Sequence, residues 1–340
     1  MPAAGCDHGE TMMRLPKFRY LQPKSVKEAV KMIADAGPTA MFVAGGTDLY
    51  PGMKRRQWTP PVVIGLSRVR ELRRKRGTPE SGIVLGAGMT LTDVERDRKV
   101  RTAHPALTRS VELISTPPLR NMGTIGGNVL LDTRCNYYNQ NYEWRKGINF
   151  CMKKDGTICW VAPSSPRCWA VQSSDSVPVL VAIGAKAKLV GPAGERVISV
   201  ADLYRDDGID YLKKRPDELL TEVHLPPVNG YRATYWKLRR RGSFDFPVIS
   251  VGACLWFDGP VVKDAKIILG AVGSHPIEAV DAQKLIIGNP LTDESIAAAA
   301  EAAFRPAKPL DNTDFHMNWR KDMVRRYVAG ALGEINSKNA

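Results

Sequence analysis

The sequence has no stretch approaching 18 consecutive apolar residues, which excludes a helical membrane span. Residues 1–14 lack the apolar core of a secretory signal, so a cytoplasmic, thiol-reducing setting is expected. Histidine is scarce: His8, His104, His224, His275 and His316 stand far apart, whereas metal-binding histidines come clustered with other ligands. Each is expected to be structural or on the surface. The last third shows no Ser/His/Asp set suited to nucleophilic catalysis. Acidic residues are outnumbered, 35 against 49 basic ones, for a net charge of +14. The basic residues are spread along the chain, not run together, which argues against nucleic acid as a partner. A basic surface of this kind suits an acidic protein partner.

Cysteine is concentrated in one place. Cys135, Cys151, Cys159 and Cys168 follow the pattern C-x15-C-x7-C-x8-C. Three uses are open. Disulfides need an oxidising compartment. Structural zinc usually takes cysteines in close pairs, and no such pair occurs. An iron–sulfur cluster is larger than one ion and can gather ligands across wide, uneven gaps. The same stretch carries Tyr137, Tyr138, Tyr142, Trp144, Phe150, Trp160 and Trp169, suited to shielding a cluster from water. Arg134, Arg145, Lys146, Lys153 and Lys154 surround the cysteines and suit docking of an acidic electron carrier. Outside the segment, Cys6 is isolated, and Cys254 lies in an apolar run as a small buried hydrophobe.

Residues 1–13 read as a disordered lead-in. Ser25 and Glu28 form a capping box for a helix over residues 25–36, ended by Gly37-Pro38. A buried strand over 40–44 runs directly into Gly45-Gly46-Thr47-Asp48, where backbone N–H groups can approach an anion. This turn is neither G-x-G-x-x-G nor a P-loop. After a strand over 82–88, Thr90 or Thr92 caps a helix reaching about Val100. Residues 119–128 hold Gly123, Gly126 and Gly127 with Asn121, Thr124 and Asn128, and are expected as an irregular loop suited to a pyrophosphate or ribose. Beyond Pro226-Pro227, strands over 233–239, 248–257 and 265–273 and helices over 293–304 and 315–332 form a separate α+β domain. The last helix is expected to show a basic face of Arg320, Lys321, Arg325 and Arg326.

Residues 44–49 (AGGTDL), 120–128 (RNMGTIGGN) and Ser174-Asp175 resemble the FAD-binding signatures of the medium subunits of the molybdenum hydroxylases, over roughly residues 18–332. The resemblance implies an α+β fold. A two-subdomain FAD-binding domain of the PCMH/VAO-like type spans 14–227, split near 70. A C-terminal domain like that of the carbon monoxide dehydrogenase flavoprotein spans 228–335, with a three-stranded antiparallel sheet and helices. It implies that Phe42, Val43, Ala44, Gly45, Gly46, Thr47, Asp48 and Leu49 wrap the FAD pyrophosphate. Thr124, Ile125, Gly126, Gly127 and Asn128 form the second phosphate and ribose loop. Asp175 bonds the nucleotide half, Leu220 packs on a ring, Lys237 approaches the isoalloxazine and Ile114 lines the cavity.

In most of that family the two latter signatures are close together, whereas here residues 132–172 separate them. This insert resembles that of the β subunits of 4-hydroxybenzoyl-CoA reductases, which implies a [4Fe-4S] cluster on the four cysteines. The implied partners are a small [2Fe-2S] subunit, a large molybdopterin subunit and ferredoxin or a similar carrier. The implied role is electron transfer, and no catalytic residue is expected. Oxidative aldehyde or heteroaromatic dehydrogenases with the same insert, and a zinc-stabilised nucleotide-binding protein, are the alternatives.

Overall fold

The computed structural model describes residues 13–337. The expected lead-in, apart from Met13, lies outside the described residues, as do Cys6 and His8. Three strands, β1 (Arg19–Leu21), β2 (Met41–Val43) and β3 (Val62–Gly65), form a parallel sheet in the order β1-β3-β2. Helix Val26–Ala36 connects β1 to β2 and buries Ala29, Val30 and Ile33. Ser25 Oγ accepts from Glu28 N at 3.1 Å, while the Glu28 carboxylate reaches past the cap to Lys24 N at 2.6 Å.

The second sheet is antiparallel: β4 (Lys75–Thr78), β5 (Gly82–Gly86), β6 (Lys186–Gly191), β7 (Gly194–Ser199) and β8 (Leu219–Leu225), in the order β4-β5-β8-β6-β7. Its buried face carries Ile83, Leu85, Leu189 and Val223, which pack against helices Pro105–Glu112 and Ser176–Ala182. The single helix expected after Thr90 is two. Thr90 caps Leu91–Arg96, and Asp97 then accepts from Val100 N to start Arg98–Ala103.

The C-terminal sheet holds β9 (Arg232–Leu238), β10 (Ile249–Asp258) and β11 (Val261–Gly270), plus the two-residue β12 (Ile277–Glu278) paired to β11. Two residues carry no readable alternation, so the fourth strand escapes the sequence. Helices Asp293–Phe304 and Met317–Ser337 cover one face. Helix Ser176–Ala182 lies on the other, where Gly252 permits close approach. A methyl there would sit 2.6 Å from the Pro178 carbonyl. The main core thus runs from the second sheet through this helix to the near face of the C-terminal sheet, where Tyr235, Cys254 and Ile268 join it.

Arg320 departs from the expected basic face: it is completely buried. The apolar stripe of the last helix faces the sheet at this level, and the guanidinium stitches three loops. Nε donates to Val248 O at 3.1 Å, Nη1 to Leu310 O at 2.8 Å and Nη2 to Ala271 O at 2.7 Å. Arg320→Met removes these three donors, leaving the Val248 and Ala271 carbonyls short of a partner while Leu310 O keeps the Asn312 amide, and a loss of about 2–4 kcal/mol is expected in urea unfolding; a change below about 0.5 kcal/mol contradicts this role.

His104 is also buried; its Nδ1 lies 2.6 Å from Tyr231 Oη and its Nε2 has no partner among the described residues. Burial pushes its pKa down to about 4. The folded state therefore binds the proton less tightly than the unfolded chain. Stability is full above about 6.5 and falls as pH drops toward about 4, by on the order of 3 kcal/mol. Chemical denaturation across that range should show the slope, and His104→Gln should flatten it.

Candidate cofactor cleft and thiol chamber

Strand β2 ends at the carboxyl edge of the parallel sheet, where α/β sheets bind ligands. Past it, the backbone N–H groups of Gly45, Gly46, Thr47 and Asp48 meet no acceptor among the described residues. Successive free donors of this kind form an anion-binding nest. Gly45 serves another purpose. A methyl there would overlap the carbonyl of Met122, so glycine lets the two glycine-rich segments touch backbone to backbone.

The second segment is more ordered than expected. Residues Ile125–Val129 form a short helix, with Thr124 Oγ1 accepting from Gly127 N at 3.1 Å. The glycines do not prevent it because Gly126 is wedged against Ala87, whose carbonyl oxygen would lie 2.7 Å from an added methyl. The amides of Ile125 and Gly126 are already used, donating to Met89 O and Ala87 O. Asn128 Oδ1 accepts from Ser174 Oγ at 2.7 Å and Ser176 Oγ at 2.6 Å, which pins helix Ser176–Ala182 to this loop. The amide nitrogen of Asn128 has no protein acceptor among the described residues.

These segments wall one cleft of about 860 Å³, within the range of small-molecule and cofactor sites. All the residues singled out from the FAD-binding signatures line it except Ile125 and Lys237. Ile125 points into the main core. Lys237 stands one step back: its Nζ lies 2.9 Å from Asp175 Oδ1 and donates to Leu113 O at 2.9 Å. Asp175 also accepts from Tyr235 Oη at 2.6 Å. Burial raises the Asp175 pKa and lowers that of Lys237, and in each case the partner's charge opposes the shift. Sequence reasoning missed Gln57, Lys214 and Phe246 on the cleft wall. They lie in segments without a motif, and only the folded chain brings them here.

Cys135, Cys151, Cys159 and Cys168 are all buried, and all are free thiols. They line one chamber together with Tyr137, Tyr138, Met152, Lys153, Trp160 and Ala170. Ala170 N–H points at Cys168 Sγ, 3.4 Å away. Gly208 is required beside it, since a methyl there would lie 2.6 Å from that sulfur. Burial pushes Cys135 up to about 11, whereas the hydrogen bond from Cys168 brings Cys159 below the usual thiol range. Among the described residues, no three His, Cys, Asp or Glu side chains are arranged to hold a single metal ion. The backbone around Cys151 is left-handed at Asn149 (φ 59°), Phe150 (φ 58°) and Asp155 (φ 66°).

Tyr138 and Lys153 line both the chamber and the cleft. Lys153 Nζ donates to Asp132 Oδ1 at 2.7 Å, Thr133 Oγ1 at 2.6 Å and Gly208 O at 2.6 Å, and lies 4.7 Å from the Tyr138 ring centroid. The expected docking cluster is thereby corrected. Lys153 and Arg145 are buried inside the insert, and Arg134 pairs with Asp48 on the cleft wall and stacks on Phe246 at 3.5 Å. Lys154 is half-buried beside Asp155, and of the five only Lys146 is exposed. The aromatic shield is likewise partial: Tyr138 is buried, but Trp144 and Trp160 are exposed.

Residues 16–228 match the FAD binding domain found in molybdopterin dehydrogenases, and residues 233–335 match the carbon monoxide dehydrogenase flavoprotein C-terminal domain. The chain is 30% identical over 332 residues to the FAD-binding subunit of an aldehyde oxidoreductase of Escherichia coli, covering 94% of this chain and 99% of that one. It is 26% identical over 320 residues to the medium chain of carbon monoxide dehydrogenase of Hydrogenophaga pseudoflava, covering 93% and 96%. A solved carbon monoxide dehydrogenase from that organism, lacking the Mo-pyranopterin moiety, superposes with a TM-score of 0.80 at 26% identity, over 96% of this chain and all of that one. Gly45→Ala should therefore weaken flavin binding at least about tenfold, about 1.4 kcal/mol, as read by flavin absorbance after dialysis. Gly147→Ala, whose methyl would meet nothing within 4 Å, should leave it unchanged.

Proposed function

This chain belongs to the FAD-binding medium subunits of the molybdenum hydroxylases, and from that premise we propose that it carries a [4Fe-4S] cluster on Cys135, Cys151, Cys159 and Cys168 as well as FAD. It is an oxidoreductase subunit, and its part in the reaction is electron transfer. The observation that carries the reading is the shared wall: the thiol chamber and the cleft are both lined by Tyr138 and Lys153. When bound, FAD exchanges electrons singly or in pairs and a cluster exchanges them singly.

The chain's own residues fit both groups. The nest at Gly45–Asp48 supplies N–H donors to a pyrophosphate, Asn128 offers its amide nitrogen, and Asp175 is held in place by Tyr235 and Lys237. The chamber offers four buried thiols and an N–H aimed at sulfur, both of which tune a cluster. A zinc site draws its ligands to about 2.3 Å from one point, and the side chains here are not arranged to hold a single ion.

The subunit works with a small [2Fe-2S] subunit and a large molybdopterin subunit, in a cytoplasmic heterohexamer of two three-subunit units served by ferredoxin or a similar carrier. The resemblance of the insert to that of 4-hydroxybenzoyl-CoA reductase β subunits favours the ferredoxin-linked reductive dehydroxylation of 4-hydroxybenzoyl-CoA as the reaction of the whole. A second reading, aldehyde oxidation, is favoured by the 30% identity to the Escherichia coli aldehyde oxidoreductase subunit. Assays of the purified complex with each substrate separate the two.

Anaerobically purified protein should contain about four iron and four sulfide per flavin. Cys159→Ser should lose the iron and keep the flavin. Zinc without iron in the wild-type chain would overturn the reading.

A further inference from the structure

Arg145 lies on the insert helix Tyr142–Gly147, and its side chain is completely buried. Nη2 donates to the carbonyl of Arg55 at 2.8 Å, but Nε and Nη1 have no hydrogen-bond partner among the described residues. The carboxylate of Asp155 lies 3.9 Å from Nη1 and is itself 41% exposed to solvent. Arginine keeps its proton in a protein interior, and a buried charge is costly unless an anion offsets it. Lys153, whose side chain is 6% exposed, is already met by Asp132 at 2.7 Å. The contact that Asp155 offers Arg145 is longer, Asp155 is itself bridged to Cys151 along the backbone, and the Arg145 carbonyl accepts from the N–H of Phe150, the residue before Cys151, at 2.6 Å.

A thiolate-bound iron–sulfur cluster has a net negative charge that grows on reduction, and net charge is one of the levers on its potential. We propose that Arg145 is the counter-charge of the cluster and raises its reduction potential by stabilising the reduced state. The proposal rests on the reading that the four cysteines hold a cluster. Arg145 lines neither the thiol chamber nor the cleft, so its role is positioning of charge, not catalysis.

The test uses the full chain, with iron and sulfide content measured first and the midpoint potential then read by spin-resonance-monitored redox titration. Arg145→Met should lower the potential by at least about 59 mV, a tenfold change for a one-electron couple. Arg145→Lys should restore most of that loss. Asp155→Asn removes the competing carboxylate and should raise the potential; asparagine accepts the left-handed backbone at this position, so the fold is kept. An iron-replete Arg145→Met protein with the wild-type potential overturns the proposal. If Arg145→Met loses its iron, Arg145→Gln, which keeps an N–H donor for the Arg55 carbonyl and drops only the charge, decides: a potential lowered by at least about 59 mV supports the proposal and an unchanged one overturns it. Wild-type protein without iron and sulfide refutes the cluster itself, whereas a full cluster indifferent to both substitutions refutes only the part given to Arg145.

Discussion

The cleft depends on one close approach. Gly45 meets the carbonyl of Met122 with no side chain between them, and this contact brings the two glycine-rich segments together. The first segment leaves its amides free because β2 has ended and Leu49–Lys54 has only begun to turn. The second has no free amides to spare at Ile125 and Gly126, which extend the backbone bonding beside β5. The division of labour follows: the first segment presents donors to an anion, and the second gives it a floor.

The insert is bound into this arrangement and does not hang from it. Arg134 precedes the first cysteine and reaches Asp48 at the end of the nest, while its guanidinium lies flat on Phe246 from the C-terminal domain. Gln57 donates to the carbonyl of Tyr138 at 2.9 Å, and Arg145 donates to that of Arg55. Three separate stretches of chain therefore meet at the mouth of the cleft, each held by a charged or amide side chain.

Much of this was legible from residues. The helix Asp293–Phe304 has the bounds expected of it, and the motif residues of the first glycine turn all face the cleft. What escaped has physical causes. Asp97 can cap a helix as readily as it can sit inside one, so a single helix became two. Arg320, Arg145 and Lys153 are charged, and charge alone reads as surface; only the buried carbonyls and carboxylates that receive them reveal otherwise. Gln57 and Phe246 reach the cleft through long-range contacts that no local pattern encodes.

Tyr138 and Lys153 have two addresses, one face toward four sulfurs and one toward the larger groove. A replacement at either position disturbs both rooms at once. The insertion is thus least constrained where Trp144 and Lys146 look outward, and is tied on its inner side to the larger groove. The two spaces are therefore bound to change together.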